Sequence, residues 1–88
     1  MELLEKLTQV YAPSGSEERM CGFIKNEVSG FADEMYTDNL GNLVVHKKGS
    51  GKKIMLSAHM DEIGVLVTYI EENGFLRFAA IGGIPLYC

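Results

Sequence analysis

Cysteine is scarce in this sequence: Cys21 and Cys88 are the only two in 88 residues, far apart and in no CxxC pair. That excludes the disulfide framework or structural zinc knot on which many small domains rely. The two read as free thiols of a reducing cytosol. Positive charge is short as well. Eight Lys and Arg residues stand against twelve Asp and Glu, for a formal net charge of −4, which argues against a nucleic-acid partner. The basic pairs Lys47-Lys48 and Lys52-Lys53 flank a Gly-Ser turn and read as solvated charge. No apolar run approaches the ~20 residues of a membrane span, so no membrane partner is expected. The acidic, amphipathic start Met1-Glu2-Leu3-Leu4-Glu5-Lys6 does not resemble a signal peptide. The expected compartment is the cytoplasm.

What is present is an ordinary globular balance, 47% apolar and 23% charged residues. A complete domain of this size buries about 60–65% of its unfolded surface. Leu3, Leu4, Leu7 and Val10 recur at helical spacing, predicting a helix over 2–11 that Pro13 and Gly15 break. Ser14 precedes Glu17 by three, the spacing of a capping box, and Met20, Phe23, Ile24 and Val28 line one face of a second helix over 16–29. Gly30 offers a stop. Strands are then expected over 31–37 and 42–47 around the turn Asp38-Asn39-Leu40-Gly41. The apolar run Lys53 to Ala58 reads as a strand buried on both faces. Residues 62–70 and 75–81 form two more strands around Glu71-Glu72-Asn73-Gly74. Two helices followed by strands with no crossover helix make an odd complete domain. Its uncovered sheet invites association, so the chain either oligomerises or is the front of something longer.

His59 follows directly on the apolar run, where open sheets present strand ends to ligands. A neutral imidazole there suits zinc or a similar ion. Asp61, two residues on, is close enough to accept the ring's other N–H and fix its tautomer, and Glu62 adds a further acid. One histidine does not make a site that needs three or more ligands, so a polar strand end in which Asp61 starts a turn stays open. His46 lies mid-strand before two lysines and reads as a surface residue. Gly49-Ser50-Gly51-Lys52 fails as a phosphate loop, since His46 takes the first glycine's place and Lys53 follows Lys52. Ser14 and Ser16 lie in no GxSxG elbow and suit helix capping better than nucleophilic work.

Five longer segments occur in an informative order: Tyr11-Ala12-Pro13-Ser14-Gly15-Ser16-Glu17-Glu18, Thr37-Asp38-Asn39-Leu40-Gly41-Asn42-Leu43, Ser57-Ala58-His59-Met60-Asp61-Glu62-Ile63-Gly64, Gly74-Phe75-Leu76-Arg77-Phe78, and Ala79-Ala80-Ile81-Gly82-Gly83. In these the chain resembles the dinuclear metallo-aminopeptidases of the glutamyl and deblocking type, whose members form large tetrahedral assemblies and sometimes carry an endoglucanase label. The resemblance runs from near the start to about Ile84.

That resemblance implies an α/β fold, the amino-terminal part of a three-layer α/β/α sandwich with two helices and then a mixed or antiparallel sheet. Residues 1–64 would belong to the catalytic domain, and 65–88 would begin an inserted β-rich dimerisation domain. His59 would be a ligand of a pair of zinc or cobalt ions, and Asp61 would orient it. The family's reaction removes the amino-terminal residue of a peptide, with the metals polarising the scissile carbonyl and a glutamate as general base. By the same resemblance the base and most ligands belong downstream. Glu71-Glu72 falls in an early turn and cannot replace that base. The chain alone is therefore expected to be inactive and to hold no metal tightly, while the larger enzyme would act on peptides as a homo-oligomer. The alternatives are a non-catalytic assembly module and, last, a glycoside hydrolase, for which no facing carboxylate pair is evident.

Overall fold

A computed structural model describes residues 2–85. Helix α1 spans Glu2–Gln9, with Glu2 and Glu5 favourably placed in its positive first turn and an Nζ–Oε1 pair of 3.3 Å between Lys6 and Glu2. It is shorter than its apolar spacing predicts, and Leu3 and Leu4 remain about half exposed. Helix α2 spans Glu18–Val28 and buries Cys21, a free thiol, against the Thr37 hydroxyl at 3.8 Å. The expected thiol at Cys88 lies outside the described residues.

Both expected ends of α2 differ from the sequence reading. Glu17 is the N-cap and makes no side-chain capping bond; its Oε1 instead accepts the Gly15 N–H at 2.7 Å. No capping box forms, because the helix starts with Glu17 as N-cap, three residues beyond Ser14. At the other end Gly30 adopts no left-handed conformation. The N–H groups of Phe31 and Ala32 both donate to the Val28 carbonyl, at 3.2 and 3.1 Å, so a tight turn consumes the residues expected to start a strand.

Strands β1, Glu34–Thr37, and β2, Leu43–His46, pair antiparallel from Glu34↔His46 to Thr37↔Leu43. Their turn is organised by Asp38. One carboxylate oxygen accepts the Leu40 and Asn42 N–H groups, both at 2.9 Å, and the other accepts Asn42 Nδ2 at 2.9 Å. Gly41 supplies the positive φ that the return requires. These donors, the Asn42 side chain first, hold Asp38 below its ordinary value of 3.8. A depressed carboxyl pKa contributes stability above the unfolded value, and that stability is lost as pH falls through the folded one. Carbon-detected NMR titration should therefore place the Asp38 midpoint below 3.8, with the β1–β2 cross-strand contacts fading over the same interval. A midpoint at or above 3.8 contradicts this.

Strands β3, Gly64–Ile70, and β4, Leu76–Ile81, form a second antiparallel ribbon with a bulge between Val67 and Tyr69. At its tip the Glu71 N–H donates to Phe75 O at 2.8 Å, and Arg77 Nε meets Glu71 Oε1 at 2.7 Å. Glu71-Glu72 is thus part of a hairpin turn, as read from the sequence. Where the chain leaves β4, Gly82 has φ +84°, and a Cβ there would lie 2.8 Å from Ile63 Cγ2. Gly82→Ala should destabilise the fold by about 1–3 kcal/mol, read as a lower denaturant midpoint. An unchanged midpoint rules out that close approach.

The strand expected over 53–58 does not form. Residues 52–60 are irregular, and Ile54, Met55 and Leu56 are 86, 88 and 92% exposed. A central strand exists only through its neighbours. Here β1–β2 and β3–β4 are separate two-stranded ribbons, and residues 53–58 lie against the free edge of neither as a third strand. The consequence is global. The radius of gyration is 17.4 Å, where about 12 Å is normal for this length. The accessible surface is 7845 Å² against about 5,100 Å² for a compact chain of this mass. That corresponds to burial of roughly 45% of the unfolded surface, well short of the 60–65% expected of a complete domain.

Candidate functional site

The segment between α1 and α2 is laid against the segment that enters β3. Pro13 and Glu62 form an isolated parallel bridge. The Glu62 N–H donates to Ala12 O at 2.9 Å and the Ser14 N–H to Glu62 O at 3.2 Å. Ala12 is left 1% exposed, and Pro13 beside it is also buried. Gly64 also lies against the loop, where a Cβ would meet Pro13 Cβ at 3.4 Å, about van der Waals contact. Two motifs nearly fifty positions apart thus meet in one strip, three residues along the chain from His59.

Within that strip the polar groups are paired in sequence. His59 Nδ1 lies 3.1 Å from the Asp61 carbonyl oxygen and 3.0 Å from Asp61 Oδ1. A carbonyl can only accept, so the proton sits on Nδ1 and the neutral ring keeps its lone pair on Nε2. That nitrogen has no protein hydrogen bond among the described residues, and the side chain is 86% exposed. On the far side of the carboxylate, the Ser14 hydroxyl donates to Asp61 Oδ2 at 2.5 Å. Ser14 first and His59 second hold the Asp61 carboxyl below its ordinary value of 3.8, so it remains an acceptor at neutral pH.

Glu62 is placed differently from the sequence reading. Rather than adding an acid beside the imidazole, its Oε1 accepts the Ala12 N–H at 3.1 Å and helps fasten the loop. His46 sits on β2 with Nδ1 3.9 Å from Glu34 Oε2, a surface pair. The structure therefore brings His59 and Asp61 together and leaves His46 apart. Among the described residues no three His, Cys, Asp or Glu side chains converge as a metal cage. The donor chemistry of His59 nonetheless fits a divalent ion: Asp61 engages Nδ1, and Nε2 has no protein hydrogen bond among the described residues on a side chain 86% exposed. Ser14 was missed as a member of this group. Its only signal was membership of the Ala12-Pro13-Ser14-Gly15 segment, because helix capping is the commoner use of such a serine.

Known proteins are similar to this chain in sequence and in structure. The lysyl aminopeptidase of Pyrococcus furiosus is 39% identical over 84 residues, which cover 94% of this chain and 24% of that protein. Among solved structures, the Pyrococcus horikoshii TET1 peptidase, described as assembling into a tetrahedron or a large octahedral shell, matches with a TM-score of 0.81 and 44% identity, covering 96% of this chain and 25% of its own. A protein of Thermotoga maritima described as an endoglucanase matches with a TM-score of 0.83 and 43% identity, covering 92% of this chain and 27% of its own. The chain spans about a quarter of the length of the curated relatives it matches. The chain matches proteins named as aminopeptidases over nearly its whole length. Residues 41–87, more than half of the 88, match the M42 glutamyl aminopeptidase model, and the chain belongs to that family.

Proposed function

We propose that these residues form the amino-terminal part of a metal-dependent aminopeptidase that releases amino-terminal residues from peptides, with His59 as one metal ligand and Asp61 as the residue that orients it. The observation that carries this reading is the placement of His59 Nδ1 against both the carboxylate and the carbonyl of Asp61, acceptors that put the proton on Nδ1 and leave the Nε2 lone pair free for a metal. Two divalent ions, zinc or cobalt, would supply Lewis acidity to polarise the scissile carbonyl. The part played by this chain is narrower. Asp61 keeps the ring in one tautomer and one orientation, and the bridge between Pro13 and Glu62 keeps the His59 segment from wandering. The general base and the remaining ligands would come from other parts of a longer polypeptide, so the 88 residues alone are inactive.

In that longer protein residues 1–64 would complete a three-layer α/β/α sandwich, with 53–58 as an inner strand. The β3–β4 ribbon, apolar on both faces and paired with no other strand among the described residues, would open the inserted domain. A homo-oligomer is in keeping with the assemblies described for the Pyrococcus horikoshii peptidase. No helix among the described residues is long and apolar enough to cross a membrane, and a cytoplasmic location belongs to this proposal. A glycosidase is disfavoured, because Asp61 is engaged by Ser14 and His59 and Glu62 by Ala12. Supplying the downstream three quarters of a relative in trans, and assaying peptide cleavage with intact chain and with His59→Ala, tests the assignment.

A further inference from the structure

We propose that Ser14 is a positioning residue for His59, acting through Asp61: its hydroxyl fixes the carboxylate so that the imidazole keeps its proton on Nδ1 and presents Nε2. The inference deepens the reading of His59 as a metal ligand and rests on it for its purpose, though not for its geometry.

Ser14 is held at both ends before its side chain is considered. Its N–H donates to Glu62 O at 3.2 Å, and the neighbouring Ala12 carbonyl accepts the Glu62 N–H at 2.9 Å. Pro13 restricts the backbone ahead of it. Gly15, at φ +90°, turns the chain away directly after it, a conformation that glycine adopts without strain. The hydroxyl is therefore presented from a fixed backbone to Asp61 Oδ2 at 2.5 Å. Asp61 itself is about one third exposed. Without a partner on Oδ2, water would compete for both oxygens and the carboxylate would rotate about its last torsion, which is broad and soft. With Oδ2 taken by Ser14, Oδ1 stays 3.0 Å from His59 Nδ1. The proton on Nδ1 then has two acceptors, the carboxylate and the carbonyl, while Nε2 has no competing partner.

The test reads the ring rather than catalysis. Nitrogen-15 shifts of the His59 imidazole, recorded about two units above the ordinary histidine pKa, report which nitrogen carries the proton. The intact chain should show mainly the Nδ1–H tautomer. Ser14→Ala should lower the ratio of Nδ1–H to Nε2–H by about 3- to 10-fold, a smaller factor than the ~10–100-fold in metal affinity or activity that follows loss of a residue touching a ligand. Ser14→Thr, which keeps the hydroxyl, should restore it. Exchange protection of the Glu62 amide, bonded to Ala12 O, should be unchanged in both variants and shows that the loop remains docked. An unchanged tautomer ratio in Ser14→Ala with that amide still protected overturns the proposal. So does a loss in Ser14→Ala that Ser14→Thr fails to restore while the amide stays protected. If Ser14→Ala loses the Glu62 protection, Ser14→Thr decides: an unaltered loop and ratio support the hydroxyl's role, and an altered ratio rejects it. Peptide cleavage by a complex with the downstream portion of a relative that is as fast with His59→Ala as with the intact chain would instead count against the metal reading, without bearing on Ser14.

Discussion

In sedimentation at concentrations of about 100 μM the chain should run as a dimer or larger species, because its exposed apolar surface exceeds what an isolated molecule of this size normally leaves in water. The excess over a compact chain of equal mass is roughly 2,700 Å², and a stable interface takes only about 800 Å² from each partner. Much of the exposed surface is of the right kind. Ile54, Met55 and Leu56 are nearly fully exposed in an unpaired segment, and Val65, Leu66, Tyr69, Ile70, Leu76 and Phe78 are each more than half exposed on the β3–β4 ribbon. Burying one such large side chain contributes about 1.5–3 kcal/mol, equivalent to roughly 10–150-fold in an association constant. Leu56→Lys should therefore weaken self-association by at least about tenfold while leaving the two hairpins intact, since Leu56 touches neither ladder. A clean monomer for the unsubstituted chain would sink this expectation. An unaltered association constant for Leu56→Lys would move the interface to the ribbon.

The same surface explains where sequence reading succeeds and where it fails. Both hairpins lie where alternation and turn residues place them, because their determinants are local: Asp38 and Gly41 build one turn, and Gly74 with φ +89° closes the other. The strand over 53–58 is different. Its apolar run is a pattern written for neighbours on both sides, and a strand without neighbours has no ladder to satisfy its backbone. Water takes that role instead, and the segment stays irregular. Helix ends are intermediate. Ser14 and Glu17 have capping spacing, but the helix starts later, with Glu17 as its N-cap, and the docked loop aims the Ser14 hydroxyl at the Asp61 carboxylate. That choice depends on a contact 47 positions away, which no local window contains. For the site, His59 and Asp61 are legible because they are two residues apart. Ser14 is not, because only the folded loop brings it to them.

Zinc or cobalt added to the chain should give weak heats in calorimetry and no peptide cleavage. A full structural zinc site is worth about 10–16 kcal/mol from four ligands. One imidazole of such a set scales to roughly 2.5–4 kcal/mol, a dissociation constant of about 1 mM or weaker. His59→Ala should remove most of that residual binding, since Nε2 is the free nitrogen of the oriented ring. Tight, stoichiometric binding by the intact chain that disappears in His59→Ala would overturn the expectation that these residues hold an unfinished site. Cleavage is expected only when the missing groups are supplied, as by the downstream portion of the 44% identical Pyrococcus horikoshii peptidase. In that complex His59→Ala should lower the rate at saturating peptide by more than about 100-fold, because losing a ligand exceeds the ~10–100-fold effect of losing a residue that merely supports one. Asp61→Ala should fall within that lower range and be partly recovered by raising the metal concentration. If the complex cleaves peptide and His59→Ala cleaves equally well, His59 is no ligand, and the hydrogen-bonded strip beside it serves the fold alone.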